Sequence, residues 1–488
     1  MKTLLLTFSI LLTAVSFSHA QRDEDLSRIL SSYETYKDPR IKDRRFKHRE
    51  IVPIIKEAAA HPLFSLETLG KSVEGREIYH LSIGTGPVSV LMWSQMHGNE
   101  PTATMAIMDI LQFFTQETDA EEWKRELLSK VTLHFVPMLN PDGAERYKRR
   151  NLQDIDINRD AQRLQTPEGR ILKSIRDELD ADFGFNLHDQ GRAYSAGNSA
   201  NTATLSFLAP AFNVEKDINP VRKNAIKLIS YMCEVLDPYM GGKIGKYNDT
   251  FEPRAFGDNI QKWGTSTILI ECGGYRNDRE KQFIRKMNFI ALMSSFHGIA
   301  NKSYRKASPK VYNTLPFNQR RLFDVLIRNM TIKQHDIEYK IDMALYYQEN
   351  QTNMYRDFFL EGRVAELGDL STYYGYQEVD ASNLRWAEGK MYPDAFKDVG
   401  DISPKKIQEL LASGYTTVVV EEFPTEPIRP HFPLSLSLAD NPKVSGMDLG
   451  YTPNFLLYEG ETVKYAIVNG ILYELEKGLM IGRLPDEE

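Results

Sequence analysis

Cysteine is scarce in this chain, with only Cys233 and Cys272 among 488 residues. Neither has a second cysteine or a histidine at a spacing typical of a metal site, which argues against a cysteine-bound zinc and against a thiol nucleophile. Cys233 lies in a helical pattern, and Cys272 follows an apolar run. We therefore expect two separate buried thiols, with a single disulfide as the alternative.

The chain also lacks an excess of basic residues. Its 60 Lys and Arg are outnumbered by 67 Asp and Glu, which gives a net charge of −7. A nucleic-acid-binding protein usually presents a basic face, so this class is disfavoured. Hydrophobic residues make up 42% and charged residues 26% of the chain, as in globular proteins with packed cores. At this length we expect two or three domains, and no internal repeat is evident.

Long apolar runs are absent after the first twenty residues. There, Lys2 precedes an apolar stretch over residues 4–17, and small residues follow it. This order is typical of a secretory signal peptide, here residues 1–20, cleaved before Gln21. A retained membrane anchor is the alternative, but the apolar stretch is short for a spanning helix. We expect a secreted or periplasmic protein without a membrane anchor.

Residues 25–305 alternate short apolar runs with amphipathic segments. Such alternation is typical of an α/β fold, and near-continuous apolar runs indicate strands buried on both faces. The predicted strands cover residues 88–93, 131–137, 182–188 and 265–271, and the predicted helices cover residues 104–115, 168–179, 221–236 and 280–299. We predict that residues 21–305 form one domain, a mixed and mostly parallel central sheet flanked by helices.

The pattern changes after about residue 307. Residues 319–330 look helical, whereas the strand-like runs are residues 338–347, 362–368, 416–421, 463–468 and 471–475. The last two runs are joined by Asn469 and Gly470, which is a strong hairpin signal. We predict that residues 315–488 form a β-rich accessory domain, which serves in packing or binds an unknown partner.

A candidate metal site begins with His97, Gly98, Asn99 and Glu100, which follow the first predicted strand. They offer an imidazole and a carboxylate three residues apart, and His188 at the end of another predicted strand adds a third ligand. Two histidines and one glutamate can bind a catalytic zinc and leave one coordination position open. Open α/β sheets also place their ligands beyond the carboxyl ends of the strands.

Further motifs accompany these ligands in a fixed order. They are the Asn-Pro-Asp-Gly of residues 140–143, Arg149, the pair Asn158 and Arg159, and Glu271 at the end of an apolar run. Together with the three ligands, they resemble the zinc carboxypeptidase family of the carboxypeptidase A and B type over about residues 30–305. The resemblance implies the carboxypeptidase fold, one Zn²⁺ per chain and a peptide substrate with a free C-terminus.

The resemblance also implies how the metal is held. His97, Glu100 and His188 match the zinc ligands of the family, whose His₂Glu set is well described. Asp156 matches an aspartate two residues before the Asn-Arg pair. A ligating imidazole almost always donates its other N–H to a carboxylate or carbonyl, so we predict that Asp156 orients His97.

The remaining matches imply the chemistry. Arg149 corresponds to the arginine that polarises the scissile carbonyl, a task suited to a permanently charged guanidinium. Asn158 and Arg159 correspond to the pair that holds the terminal carboxylate of the substrate. Glu271 corresponds to the general base, which takes a proton from a zinc-activated water and passes it to the leaving amine.

Two substitutions depart from the family pattern beside these residues. Asp160 stands where the family typically has asparagine, and we expect it to add negative charge close to the carboxylate-binding pair. Asp189 follows His188 in place of the commoner serine, so we expect a different wall of the site.

The substrate-facing residues are the least determined by the sequence. Tyr247, 24 residues before Glu271, is the nearest candidate for the mobile tyrosine of the family, with a plain surface tyrosine as the alternative. Arg254 lies in the stretch expected to line the specificity pocket. Arg254 either favours substrates with acidic side chains or pairs with Glu252 and does not contact the substrate.

These features predict an exported zinc metallocarboxypeptidase that hydrolyses C-terminal peptide bonds. One alternative is a zinc amide hydrolase of the aspartoacylase or succinylglutamate desuccinylase type, acting on N-acyl amino acids, because such proteins share the His-Gly-Asn-Glu start and an Asn-Arg pair. A second alternative is a non-catalytic peptide-binding protein on a peptidase fold. The Asn-Pro-Asp-Gly loop and the large segment between the ligands favour the peptidase.

Overall fold

The computed structural model describes residues 24–334, 336–428, 431–439 and 446–477. The predicted signal peptide 1–20 and its cleavage point before Gln21 lie outside the described residues. The chain divides into two compact units. The first comprises the residues up to Gly191 with Ala203–Gly274 and Glu280–Asn318, and the second comprises Arg192–Thr202, Tyr275–Arg279 and the residues from Gln319 onward. The domain limits expected from the sequence remain a prediction.

The first unit is built on an eight-stranded sheet in the order β1-β2-β4-β3-β5-β9-β7-β8. Its strands are β1 Phe64–Lys71, β2 Glu77–Ile83, β3 Val88–Ser94, β4 Val131–Val136, β5 Phe183–Asp189, β7 Leu205–Leu208, β8 Ile244–Lys246 and β9 Ser266–Cys272. The short β6, Tyr194–Ala196, belongs to the second unit. Strands β4, β3, β5 and β9 run parallel at the centre of the sheet, whereas β1, β2 and β7 join by antiparallel pairing.

Helices accompany this sheet throughout the unit. They are α1 Tyr33–Tyr36, α2 His48–Ala60, α3 Thr102–Thr115, α4 Glu121–Leu128, α5 Pro141–Glu145, α6 Pro167–Leu179, α7 Pro220–Met240, α8 Phe256–Lys262, α9 Gln282–Ala300 and α10 Pro309–Thr314. Residues 24–31 are helical as well. Several of the helices begin with a proline behind a capping Ser, Thr or Asn, which satisfies the free N–H groups of the first turn. The predicted fold class is confirmed by this mixed sheet with its parallel centre and by the β-rich second unit.

The parallel centre explains where polar side chains collect. Strands β3 and β5 are fully buried over most of their length, and β9 is buried at all seven positions. Their carboxyl ends lie at the same edge of the sheet, and the register places His188 of β5 beside Glu271 of β9. Polar residues that would be costly inside the sheet are thus brought together just beyond its core.

The second unit contains an eight-stranded sheet, a three-stranded sheet and a two-stranded sheet that includes β6. The remaining strands of the chain are β10 Asn318–Arg320, β11 Leu322–Gln334, β12 Ile337–Thr352, β13 Asp357–Gly368, β14 Tyr374–Asp380, β15 Arg385–Glu388, β16 Lys390–Phe396, β17 Tyr415–Val420, β18 Ser435–Ser437, β19 Phe455–Glu459, β20 Thr462–Val468 and β21 Ile471–Glu474, with one helix, α11 Pro404–Ala412. The predicted hairpin is confirmed, since Val468 pairs with Ile471 across Asn469 and Gly470. Both turn residues have positive φ angles, of 50° and 74°, as a type I′ turn requires.

The helix predicted over residues 319–330 is wrong, because this segment forms most of β11. Val325 and Ile327 point into one hydrophobic cluster and Leu326 into another, so the strand is buried on both faces and shows no alternation. The register with β12 also shifts between Ile327 and Met330. A strand that is buried on both faces and contains a register shift does not alternate between apolar and polar residues. Its apolar residues can then recur at a spacing similar to that of a helix.

Two further expectations can be compared with the described residues. Cys233 and Cys272 are both buried and free, which confirms two separate thiols. Among the described residues, no helix combines the length and the apolar character needed to cross a membrane.

Candidate metal centre

His97, Glu100 and His188 converge on one point at the carboxyl edge of the central strands. The Nδ1 atom of His97 lies 2.8 Å from Glu100 Oε1, and the Nδ1 atom of His188 lies 2.7 Å from Glu100 Oε2. The two Nδ1 atoms are 3.1 Å apart. All three side chains are buried. It is the only group of three or more potential metal ligands found among the described residues.

The donor set and its spacing fit a zinc ion. Zinc ligands lie at about 2.0–2.2 Å in a tetrahedral arrangement, which places neighbouring donor atoms about 3.3 Å apart. The separations of 2.7, 2.8 and 3.1 Å, which involve both oxygens of Glu100, are shorter than this by up to about 0.6 Å, and all join nitrogen and oxygen atoms that zinc accepts. Without a metal ion, burial of two imidazole nitrogens that face each other and a carboxylate would have an unfavourable free energy. We conclude that these three residues can hold one zinc ion.

The loop that carries His97 and Glu100 depends on two glycines. A Cβ atom on Gly98 would lie 2.0 Å from the backbone carbon of Gly143, so only glycine fits there. Gly143 belongs to the Asn-Pro-Asp-Gly motif, whose Asn140 accepts the N–H of Gly143 and donates from Nδ2 to the carbonyl of Met96. The two sequence motifs are therefore one structural unit, in which the second supports the first.

Asp156 lies behind His97 on the side away from Glu100. Its Oδ1 atom accepts from His97 Nε2 at 3.0 Å, which leaves the Nδ1 lone pair of that ring for the metal. Burial tends to raise the pKa of Asp156, but His97 and the nearby Arg149 hold that pKa below its usual range. This geometry supports the proposed role in orienting His97. The other histidine ligand, His188, lacks such a support: its Nε2 atom is buried and has no hydrogen-bond partner in the described part of the chain.

Arg149 reaches the cluster from the solvent side. Its Nε and Nη2 atoms donate to Asp156 Oδ2 at 3.1 and 3.0 Å, and Nη1 lies 3.2 Å from Glu100 Oε1. The side chain is 43% exposed, so one face of the guanidinium is open.

Glu271 ends β9 next to His188 on β5. Burial raises the pKa of Glu271 well above its usual range, and the carboxylates of Glu100 and Asp189 raise it further, whereas Arg149 and Lys281 oppose them. The pKa of Glu100 moves the other way: burial would raise it, but His97 and His188 hold it below its usual range. The two carboxyl groups thus have pKa shifts in opposite directions.

Asn158 and Arg159 form a short 3-10 turn, Ile157–Arg159, directly after Asp156. Asn158 Oδ1 accepts the backbone N–H of Phe256 at 2.9 Å. Arg159 is exposed, and its Nη1 donates to the carbonyl of Asn158. The turn thus leaves the Arg159 side chain exposed, whereas Asn158 is partly buried.

The Asp160 side chain faces the protein interior. Its carboxylate is buried and accepts three bonds, from the backbone N–H of Gln165 and from both the N–H and the hydroxyl of Thr166. It stabilises the turn that leads into α6, where Thr166 is the N-cap. The expectation that Asp160 adds negative charge close to the carboxylate-binding pair remains a prediction.

Arg254 and Tyr247 stand apart from the ligand cluster. Arg254 is exposed and pairs through two nitrogens with Glu252, at 3.0 Å for each contact. Glu252 also lies 3.5 Å from Arg159 Nε, so its carboxylate is shared between two arginines. Tyr247 is half-buried, and its N–H donates to the carbonyl of Phe207. Their roles towards substrate remain predictions.

Sequence reasoning missed a second group of residues around the site. Asp189, Thr102 and Lys281 form a buried cluster next to His188, with Asp189 Oδ2 accepting from Thr102 Oγ1 at 2.6 Å and from Lys281 Nζ at 3.0 Å. The only signal in the sequence was the unusual aspartate after His188. Lys281 gave none, since an isolated lysine before a helix resembles a surface residue.

A family comparison agrees with this geometry. Residues 54–201 match the family model described as zinc carboxypeptidase. This span includes His97, Glu100, His188 and the residues around Asp156. The resemblance to the zinc carboxypeptidases is thereby confirmed.

Individual relatives match over a similar part of the chain. Carboxypeptidase 2 of Trichophyton rubrum is 25% identical over 159 residues, which is 30% of this chain and 29% of that protein. Human carboxypeptidase D is 26% identical over 151 residues, which is 28% of this chain and 11% of that protein. The chain thus matches less than a third of either relative's length, so the activity of the whole protein is a matter for proposal.

Solved structures give a weaker likeness. A metallo-carboxypeptidase from Burkholderia cenocepacia aligns with 53% of this chain and 70% of its own, at 17% identity and a TM-score of 0.44. Carboxypeptidase A from Helicoverpa armigera aligns with 60% of this chain and 82% of its own, at 17% identity and a TM-score of 0.41. At these values the likeness adds nothing to the family match.

Proposed function

We propose that the protein is an exported zinc metallocarboxypeptidase that removes residues from the free C-terminus of peptides. The observation that carries the proposal is the convergence of His97, Glu100 and His188 on one point, with Glu271 on the neighbouring strand. Residues 54–201 match the zinc carboxypeptidases, which supports a metallopeptidase. The catalytic chemistry is assigned to the first unit, which holds all of these residues.

Each residue contributes a separate part of the reaction. Zinc held by the three ligands would supply Lewis acidity and lower the pKa of water towards about 7. Glu271, which lies beside His188 at the end of β9, takes a proton from the attacking water and returns it to the leaving amine. Arg149, fixed on Asp156, stabilises the negative charge that develops on the scissile carbonyl oxygen.

Recognition of the C-terminus is assigned to Asn158 and Arg159. A guanidinium can bind a carboxylate through two parallel hydrogen bonds, and a neighbouring amide adds a third donor. The exposed Arg159 lies one turn from Asp156, so a carboxylate bound there would direct the terminal peptide bond towards the metal cluster. Tyr247 and Arg254 are the further candidates for contact with substrate.

Cleavage of a peptide library tests the proposal directly. The purified protein, loaded with zinc, is incubated with peptides that have either a free or an amidated C-terminus, and products are read by mass spectrometry. We expect loss of single C-terminal residues from the free peptides only. Release of acyl groups from N-acyl amino acids, without any peptide cleavage, would contradict the proposal.

Glu271→Gln provides the matched control for that experiment. The amide keeps the size of the side chain but cannot accept the proton, so kcat should fall by about 10² to 10⁴. Zinc content should remain equal to that of the wild type, because Glu271 is not among the three ligands. An unchanged kcat would remove Glu271 from the role of general base.

A further inference from the structure

Lys281 is a largely buried cation with two partners at the edge of the metal centre. Its Nζ atom donates to Asp189 Oδ2 and to the carbonyl of Cys272, each at 3.0 Å. The side chain is 13% exposed, and that of Asp189 is 6% exposed. A buried ion pair is costly unless its geometry and its remaining hydrogen bonds are good, so such a pair calls for an explanation.

The two partners of Lys281 are the residues directly after His188 and Glu271. Asp189 and Cys272 pair in register at the ends of β5 and β9. The Lys281 ammonium group therefore joins the end of β5, which carries the zinc ligand His188, to the end of β9, which carries the proposed base Glu271.

Asp189 extends this connection to the other ligands. Its backbone N–H donates to Glu100 Oε2 at 3.2 Å, and its carboxylate accepts from Thr102, two residues after Glu100. Asp189 is thus in contact with the loop that carries Glu100, while its own strand carries His188. A shift of Asp189 would be transmitted to both residues.

The backbone at Lys281 is itself unusual. Its φ angle is 55°, in the left-handed region, immediately before α9. A non-glycine residue is held in this region only when its surroundings determine it. With this backbone conformation the ammonium group lies on Asp189 and the Cys272 carbonyl and not in solvent.

We propose that Lys281 and Asp189 are positioning residues, whose ion pair holds the ends of β5 and β9 and the Glu100 carboxylate in the arrangement that binds zinc beside Glu271. This inference rests on the proposed function for the identity of the metal, but not on peptidase activity. The proposal gives a role to Asp189, which stands where the zinc carboxypeptidases more commonly have serine.

Metal binding and spectroscopy test this role without an activity assay. Zinc affinity is measured by competition with a chromophoric chelator, and the visible spectrum of the Co²⁺-substituted protein reports the ligand geometry. Lys281→Met should weaken zinc binding by about 10- to 100-fold, as for other groups that support metal ligands, and should change the Co²⁺ spectrum. Lys281→Arg, which keeps the charge and the donors, should recover most of the affinity and the wild-type spectrum.

Lys124 supplies a matched control. It is also a buried lysine that donates to a carboxylate, Glu121 at 2.7 Å, and to a backbone carbonyl, that of Gln116 at 2.6 Å. It has no contact with the metal ligands among the described residues. Lys124→Met should lower thermal stability as Lys281→Met does, but should leave zinc affinity and the Co²⁺ spectrum unchanged.

The outcomes separate the inference from the proposed function. Wild-type zinc affinity and spectrum in Lys281→Met would overturn the positioning role alone, whereas a zinc-binding wild type without peptidase activity would overturn the proposed function alone. If Lys281→Met fails to fold, the double variant Asp189→Asn/Lys281→Met removes the unpaired buried charge and takes its place. Failure of both to fold would also overturn the inference, because the pair would then be a requirement of the fold and not of the metal centre.

Discussion

The first unit contains two buried histidine pairs that look alike and differ in chemistry. In the pair His97 and His188 the ring centroids are 4.8 Å apart, and in the pair His80 and His134 they are 5.2 Å apart. The second pair is joined by a hydrogen bond of 3.0 Å between His80 Nε2 and His134 Nδ1. Two close imidazoles are therefore not sufficient evidence of a metal site.

A carboxylate makes the difference between the two pairs. Glu100 lies within 2.8 Å of both His97 and His188, whereas the nearest acid to the other pair is the exposed Glu67, 3.5 Å from His80. Burial lowers the pKa of both His80 and His134. One pair has a charged oxygen directed at its nitrogens, and the other is a neutral hydrogen-bonded pair in the protein interior.

Removal of that carboxylate should have the largest effect. In Glu100→Gln one ligand oxygen becomes an amide N–H₂, so the His97 and His188 pair becomes neutral like the other. We expect zinc affinity to fall by more than the roughly 100-fold typical of outer-shell changes, with loss of peptidase activity. Chelator competition measures the affinity. His134→Gln is the control and should bind zinc as the wild type does; an equal loss in both variants would contradict the comparison.

Removal of the support behind His97 should have an intermediate effect. Asp156→Asn replaces the charged acceptor of His97 Nε2 with an amide of the same shape, so the ring loses the charge that orients it and makes it more basic. Zinc affinity or turnover should fall by about 10- to 100-fold. If both remain at wild-type values, Asp156 does not orient His97.

The pair of His80 and His134 should affect stability only at acidic pH. Burial lowers the pKa of His134 to about 4, and the neighbouring His80 adds to the shift. In the unfolded chain the pKa is about 6.5, so between these values the unfolded state binds more protons and stability falls as the pH decreases. From pH 8 to pH 5 this histidine should cost about 2 kcal/mol of the free energy of unfolding.

Urea unfolding of the wild type and of His134→Gln at these two pH values measures the difference. The variant should lose less stability in acid than the wild type, while its zinc affinity at pH 8 stays unchanged. Equal losses in both proteins would show that His134 does not carry the acid sensitivity.

The contrast between these pairs also shows what the sequence could predict. His97, Glu100, His188 and Glu271 were identifiable because each follows or ends an apolar run, and parallel strands bring such ends together. Neither His80 nor His134 drew attention, since both lie within strands. A position relative to a strand end was therefore more informative than the residue type.

The residues that escaped prediction act over long sequence separations. Lys281 contacts Asp189 across 92 positions, and no local pattern marks such a pair. The contacts of Asp160 also escaped prediction: its neighbour Arg159 faces solvent, but its own carboxylate turns inward to the Thr166 turn. Which way a polar side chain points depends on the donors that the fold supplies.

The contact between Gly98 and Gly143 limits the design of this metal motif in other proteins. Because the backbones at Gly98 and Gly143 are in contact, the four residues from His97 to Glu100 cannot be transferred to another protein by themselves. A host protein would have to supply the opposing turn as well, with its own glycine and the asparagine that secures it. The smallest transferable part of this centre is a pair of loops from distant parts of the chain.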